Sequence, residues 1–155
     1  MNKFNSYHNM DGYPDPTAGE AMYEIMKDYK QQRRKAYHRE QELKSRPKVY
    51  VVSRYAGDVP NNLKAARKYC RMVVRRKRMP VASHLLYPFI LNDNDPKERE
   101  IGTMFGLALL ALCDEVWCFG TEPSPGMQKE IEEAKRLRKP IRFFTEEMEA
   151  VHEAH

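Results

Sequence analysis

Val49-Tyr50-Val51-Val52-Ser53 is an unbroken β-branched and aromatic run, preceded by Pro47 and followed by Arg54-Tyr55-Ala56-Gly57-Asp58. Continuous rather than alternating apolar character is what a strand covered on both faces requires. The segment after it carries turn residues, so the strand ends near Ser53 and a loop begins. A strand of this kind, if helices follow it, belongs to a parallel sheet.

Helices do follow. Residues 59–78 keep helical spacing, with Leu63, Ala66, Cys70 and Val73 on one side and Lys64, Lys68, Arg71, Arg75 and Arg78 on the other. Met79-Pro80-Val81-Ala82-Ser83 reads as a second short strand, in which Pro80 is tolerable at the start or at a sheet edge. A loop covers residues 84–94. Asp95-Pro96-Lys97-Glu98 then carries the signature of a helix start, a capping acid followed by proline at the first helical position, and that helix reaches residue 113. Asp114-Glu115-Val116-Trp117-Cys118-Phe119 is the third strand, residues 120–124 a loop, residues 125–138 a helix, and Pro140-Ile141-Arg142-Phe143-Phe144 the fourth strand, with Thr145 capping a last short helix. Upstream, turn formers occupy residues 1–16. A helix is expected over residues 17–44, opened by a Thr17/Glu20 capping box and carrying Ala21, Met22, Ile25, Met26 and Tyr29 at helical spacing. Beyond Tyr29 that helix is nearly all charged and should face solvent, and Ser45-Arg46-Pro47 ends it.

Strands alternating with helices give an α/β fold, three-layered and Rossmann/flavodoxin-like, with a four- or five-stranded parallel sheet. Right-handed crossovers give strand order 2-1-3-4. The expected division is an N-terminal helical extension, residues 1–47, and an α/β domain, residues 48–155. Ligands of such sheets bind at the carboxyl ends of strands beside the point where the order reverses, here between the first and third strands. The loops after Ser53 and Phe119 therefore frame the expected site.

Composition bounds the rest. A chain of 155 residues with 41% hydrophobic and 32% charged residues is one globular domain rather than a disordered chain. The three cysteines, Cys70, Cys113 and Cys118, form no CxxC or zinc spacing and read as buried reduced thiols. Residues 1–13 have no apolar leader segment. The longest uncharged apolar run, residues 101–113, has 13 residues, short of the about 20 that a membrane helix needs. A cytoplasmic location follows as the expectation. Net charge is +5, and eight Lys or Arg with no acid fall in residues 64–78. Phosphate contacts need only such charge. No aromatic residues interleave on that stripe and no recognition motif accompanies it, so a solvated face is the preferred reading and nucleic acid is not the expected partner.

The residues with chemistry lie in Ser124-Pro125-Gly126-Met127-Gln128-Lys129-Glu130, which follows a buried strand and opens a helix. Gly126 allows close backbone approach, the helix start offers N–H groups to an anion, and Glu130 lies far enough in to lean back over the sheet edge. The plainer account makes Ser124 an N-cap and Glu130 a surface carboxylate favoured by the helix dipole.

Together, Val49-Tyr50-Val51-Val52-Ser53, Ser124-x-Gly126-x-x-x-Glu130, Ala134 and Lys139-Pro140-Ile141 resemble the nucleoside 2-deoxyribosyltransferase-like superfamily. Ser53-x-Tyr55-x-Gly57-Asp58, His84-Leu85-Leu86-Tyr87-Pro88, Asn92-Asp93-Asn94-Asp95-Pro96 and Ser124-Pro125-Gly126-Met127 are similar to uncharacterised phage and bacterial members of it. The resemblance covers about residues 48–144. It implies a catalytic pair, Glu130 attacking the anomeric carbon and Tyr50 orienting its carboxylate. With the residues' own chemistry added, the candidate ligand- and phosphate-binding set is Ser53, Arg54, Tyr55, Gly57, Asp58, His84, Ser124, Gly126 and Met127. Ser124 stands where the transferase branch has aspartate. The branch that hydrolyses deoxynucleoside 5′-monophosphates has serine there, within a phosphate site.

The implied chemistry is that of a retaining glycosidase: a glycosyl ester on Glu130, then opened by water. An acid must protonate the departing base, and Asp58, Asp93 and Glu122 are the candidates. Arg54 departs from the family's usual proline. It is either a phosphate clamp or a loop arginine paired with a neighbouring acid. His84 is either an acid/base or phosphate donor, or a histidine bonded to the loop. Asp95 is better explained as an N-cap than as a metal ligand beside His84 and Asp93, so neither metal nor cofactor is expected. Residues 101–113 are apolar all round and need a second cover, either the N-terminal helix or another subunit. A homodimer through this helix is preferred, with Gly102 and Gly106 permitting close approach, and oligomers of the resembled superfamily often complete the site with neighbour residues. Three readings result: an N-glycosidase or deoxyribosyltransferase acting on a nucleoside or nucleotide, a non-catalytic sensor or sequestering protein with the same pocket, and a nucleic-acid-associated accessory protein.

Overall fold

A computed structural model describes residues 8–151. The chain divides into two compact units, Met1–Ser45 and Arg46–His155.

The first unit is the helix α1 (Pro16–Lys44). Its cap is Asp15 rather than Thr17: the Asp15 carboxylate accepts from the Ala18 N–H at 3.0 Å, and Pro16 takes the first helical position, where its missing N–H costs nothing. Met22, Ile25, Met26 and Tyr29 keep helical spacing and are all exposed. The turn-rich segment expected over residues 1–16 is described from residue 8, where the Asn9 side chain accepts from the Asp11 and Tyr13 N–H groups.

The second unit alternates β1 (Lys48–Val52), α2 (Val59–Arg75), β2 (Met79–Val81), α3 (Pro96–Ala111), β3 (Glu115–Phe119), α4 (Pro125–Arg136) and β4 (Ile141–Phe144). The four strands form one parallel sheet in the order β2-β1-β3-β4. Pro80 is accommodated because β2 is an edge. The segment between β2 and α3, expected as plain loop, contains two single-turn 3-10 helices, Ser83–Leu85 and Tyr87–Phe89.

Strand alternation sorts the core into two layers. Tyr50, Val52, Val116 and Cys118 face α3 and α4 and pack with Leu110, Met127, Ile131 and Ala134. Val49, Val51, Trp117 and Phe119 face the other way and pack with Tyr69, Met72 and Val73 of α2. Each fully buried apolar side chain of this kind contributes roughly 1.5–3 kcal/mol. The inward stripe of α2 is thus Ala66, Tyr69, Met72 and Val73, with the expected Leu63 and Cys70 only half-buried. The helix is rotated so that Tyr69 stacks on Phe119, ring centroids 4.2 Å apart and planes 6° from parallel. Lys64, Lys68, Arg71 and Arg75 are exposed as the outer stripe. Arg78 is not part of that stripe: it lies past the helix end and pairs with Glu115 at 3.2 Å.

No helix follows β4 among the described residues. The expected Thr145-capped helix is instead a reversal, with Met148 at φ 68° and Ala150 bridging back to Phe144. Guanidinium groups cover what such a helix would have covered. Arg142 and Arg76 lie 5.3 and 5.6 Å from the Trp117 ring centre, and the Trp117 indole N–H donates to Glu115 at 2.9 Å. Among the described residues no helix is long and apolar enough to cross a membrane.

Phe119 is 2% exposed and stacks on both Tyr69 and Phe144. Phe119→Ala should therefore cost about 3–5 kcal/mol, read as a lower urea midpoint at unchanged slope.

Candidate functional site

Parity places the site. Val52 pairs with Cys118 at the carboxyl ends of the two central strands, and the connections from these strands leave to opposite faces, which opens a cleft above them. Tyr50, two residues before Val52, points into the layer of α3 and α4. Helix α4 starts over the cleft because Ser124 caps it, its hydroxyl accepting from the Met127 N–H at 3.3 Å, with Pro125 next. The first turns of α4 carry Glu130 back over β1, where the Tyr50 hydroxyl donates to Glu130 Oε1 at 2.7 Å. The Tyr50 oxygen is also 2.7 Å from Ser83 Oγ, and Ser53 Oγ is 2.9 Å from His84 Nε2, both buried pairs. These two contacts stitch β1 to the 3-10 turn that follows β2.

A cavity of about 450 Å³ opens above these groups, within the range of small-ligand pockets. Glu130, Ser53, Ser83 and His84 line it together with Tyr55, Tyr87, Ser124, Gly126, Met127 and Lys129, and α3 contributes Thr103 and Gly106. Asp93 and Arg99 also line it, joined by an ion pair at 3.3 Å.

Of the eleven residues expected from sequence, eight are gathered here: Tyr50 through its bond to Glu130, and Glu130, Ser53, Tyr55, His84, Ser124, Gly126 and Met127 on the cavity wall. Arg54, Gly57 and Asp58 stand outside it. Arg54 reaches across to the Glu122 carbonyl at 3.1 Å, tying two loops together. Gly57 has φ +98°, a left-handed conformation that glycine adopts without strain in the turn before α2. Asp58 caps α2, its carboxylate accepting from Asn61. Of the three acid candidates, only Asp93 lines the cavity. Lys129, Ser83, Tyr87, Thr103, Gly106 and Arg99 were not anticipated. The helix start holds fewer free donors than a bare terminus: Pro125 has no N–H, Ser124 takes the N–H of Met127, and Gly126 keeps its own. Gly102 and Gly106, expected to admit a second helix, face inward. A Cβ at Gly106 would lie 3.1 Å from Ser83 Oγ, and one at Gly102 would lie 3.4 Å from Leu91. The side of α3 that is exposed carries Ile101, Met104 and Phe105, and its C-cap Leu112 is exposed as well.

Burial dominates the electrostatics. It pushes the Glu130 carboxyl from 4.5 up to about 7, against the Tyr50 hydrogen bond, which pulls it down. Burial, then the Glu130 charge, keep the Tyr50 phenol protonated far above its ordinary range. Burial holds His84 down at about 4, and its Nε2 is engaged with Ser53 Oγ. Cys118, beneath Glu130, is pushed up to about 12, first by burial and then by the Glu130 charge. Among the described residues, no three or more His, Cys, Asp or Glu side chains are grouped to hold a metal ion.

The fold and this geometry can be set beside known proteins. A family model described as a domain of unknown function (DUF7768) matches residues 47–144. The chain belongs to this family. DUF7768 spans β1 through β4 in this chain, so the cavity lies within it. No curated protein matches the sequence. Among solved structures, a 2-deoxyribosyltransferase from Bacillus psychrosaccharolyticus superposes with TM-score 0.54 at 16% identity, over 63% of this chain and 72% of that one. A 2-deoxyribosyltransferase from Leishmania mexicana gives TM-score 0.46 at 13% identity, over 64% of each chain. The Bacillus superposition establishes a nucleoside 2-deoxyribosyltransferase-like fold for this DUF7768 domain.

The raised Glu130 pKa makes a stability prediction. The native state binds this proton more tightly than the unfolded chain, so stability is full below about 4.5 and falls as pH rises through about 7. The loss amounts to at most about 3 kcal/mol. Glu130→Gln removes it, so the variant should exceed the parent in denaturant resistance at pH 8 and not at pH 4.

Proposed function

We propose that this protein cleaves, or transfers across, the N-glycosidic bond of a nucleoside or nucleoside 5′-monophosphate, with Glu130 as the nucleophile. The observation that carries the reading is the Glu130 carboxyl on the cavity wall, held by Tyr50 at 2.7 Å. A carboxylate oriented toward a sheet-edge cavity is the nucleophile that a covalent glycosyl ester requires. The fold it shares with the Bacillus 2-deoxyribosyltransferase adds support from outside the chain.

In this mechanism one Glu130 oxygen attacks the anomeric carbon as the bond to the base nitrogen breaks. The base leaves with the bonding electrons and takes a proton from an acid in the cavity. Tyr50 holds the second position of the carboxylate so that the attacking lone pair is aimed rather than free to rotate. Water, or a second base, then attacks the same carbon and releases the carboxylate. Of the carboxyl groups weighed as the acid, Asp93 is the one on the cavity wall. Lys129, the Gly126 N–H and Ser124 make the α4 end the place for a 5′-phosphate, with ammonium and amide donors on one side of the cavity. The apolar length of Tyr55, Tyr87 and Met127 suits the faces of a base.

The ionised carboxyl is the reactive form. With a pKa of about 7, the rate should rise about tenfold per pH unit below neutrality and flatten above it. Incubation with deoxynucleoside 5′-monophosphates and with free deoxynucleosides, followed by chromatography for free base, tests this. Glu130→Ala should lower release by roughly 10³-fold or more. Ligand binding with no base released at any pH would replace the enzyme by a non-catalytic sensor using the same cavity. No binding and no release would remove the nucleoside reading altogether.

A further inference from the structure

The hydrogen bonds holding Glu130 continue past Tyr50. A phenol has one proton, and Tyr50 gives it to Glu130 Oε1 at 2.7 Å. The contact of 2.7 Å between the Tyr50 oxygen and Ser83 Oγ must therefore run the other way, with Ser83 donating. Ser83 is 8% exposed and opens the 3-10 turn Ser83–Leu85, two residues beyond Val81, the residue paired with Tyr50 across β1 and β2. The pair is closed from the far side by the backbone of α3. A Cβ at Gly106 would stand 3.1 Å from Ser83 Oγ and 3.2 Å from the Tyr50 oxygen, tighter than such contacts normally are. Neither oxygen can retreat toward α3 and neither has room for an added side chain there.

We propose that Ser83 is a positioning residue that fixes the Glu130 carboxylate through Tyr50, and that Gly106 is the backbone stop that holds the Ser83–Tyr50 pair in place. The argument is one of directionality. With Ser83 occupying its lone pair, the Tyr50 hydroxyl has a single productive use for its proton, toward Glu130. Donation by Ser83 also polarises that hydroxyl and strengthens the second bond. Without Ser83, the phenol proton is free to turn away and the carboxylate loses both orientation and stabilisation. The other titratable groups facing Glu130 and Tyr50 are Cys113 just past α3, Cys118 on β3, Lys129 on α4, His84 in the 3-10 turn, and Tyr55, Tyr87, Asp93, Glu98 and Arg99 on the cavity wall. None of them lies between Ser83 and Glu130.

For catalysis the proposal rests on Glu130 being the nucleophile, and the test separates the two. Protein labelled with ¹³C at the glutamate carboxyls reports the Glu130 titration directly, the signal being assigned by its loss in Glu130→Gln. Ser83→Ala should move the midpoint upward by about half a pH unit, since the ionised form loses support. Gly106→Ala should move it in the same direction by displacing both oxygens, whereas Ala108→Ser on the exposed side of the same helix should leave it in place. In a Tyr50→Phe background, Ser83→Ala should add nothing, because the link is already cut. If base release is found, Ser83→Ala should lower kcat several-fold at unchanged KM and shift the acidic limb by the same half unit. An unmoved midpoint in Ser83→Ala, or a shift that persists in the Tyr50→Phe background, overturns the positioning role. Absence of base release from the parent, with the titration behaving as expected, overturns only the nucleophile reading.

Discussion

The hydrogen bond from Tyr50 to Glu130 is the contact around which this domain is organised. It joins the central strand to the helix that starts over the cleft, across 80 residues of sequence, and it is partly buried. A buried carboxyl without such a partner would simply hold its proton. With it, burial and hydrogen bonding oppose one another and leave the group balanced near neutrality, at about 7. The same low-polarity surroundings that raise Glu130 keep Tyr50 a donor and His84 a neutral imidazole. Around Glu130 itself the nearest groups are thus neutral dipoles, with the charged Lys129, Asp93, Glu98 and Arg99 elsewhere on the cavity wall.

That balance depends on how the sheet is built. Tyr50 and Val52 look one way, Val49 and Val51 the other, so a shift of register by one residue would move the phenol into the α2 layer and away from Glu130. The aromatic stack of Tyr69, Phe119 and Phe144, with Trp117 beside it, makes that slip costly because each ring has a fitted neighbour. The layer opposite the cavity therefore keeps the cavity-facing side of the sheet in alignment without touching it.

Local rules were enough for the strands, the order in which they pair and the caps at Asp95 and Ser124, because each depends on a few adjacent residues. Tyr50 and Glu130 were readable through the resemblance, and strand parity agrees with it. Ser83 was not, since its place beside Tyr50 is set by the pairing of Tyr50 with Val81, a property of the sheet and not of any motif. Gly106 was read as a contact for a second helix because glycine in an apolar helix has that meaning equally often. Only the positions of Ser83 and the phenol show which side it serves. Asp58 sits in a stretch that matches a family pattern, yet it is taken up by the capping demand of α2. The cap of α1 moved to Asp15 for a related reason: a proline at the next position outweighs a Thr/Glu pair further in.

The tryptophan under the arginines has a practical meaning. It is the one tryptophan in the chain, it is fully enclosed, and its ring lies on the face of the sheet away from the cavity. Its emission is consequently an optical reporter of the α/β unit alone. The light it gives should follow the integrity of the sheet while staying nearly indifferent to what occupies the cleft, so unfolding can be followed whether or not the cleft is filled.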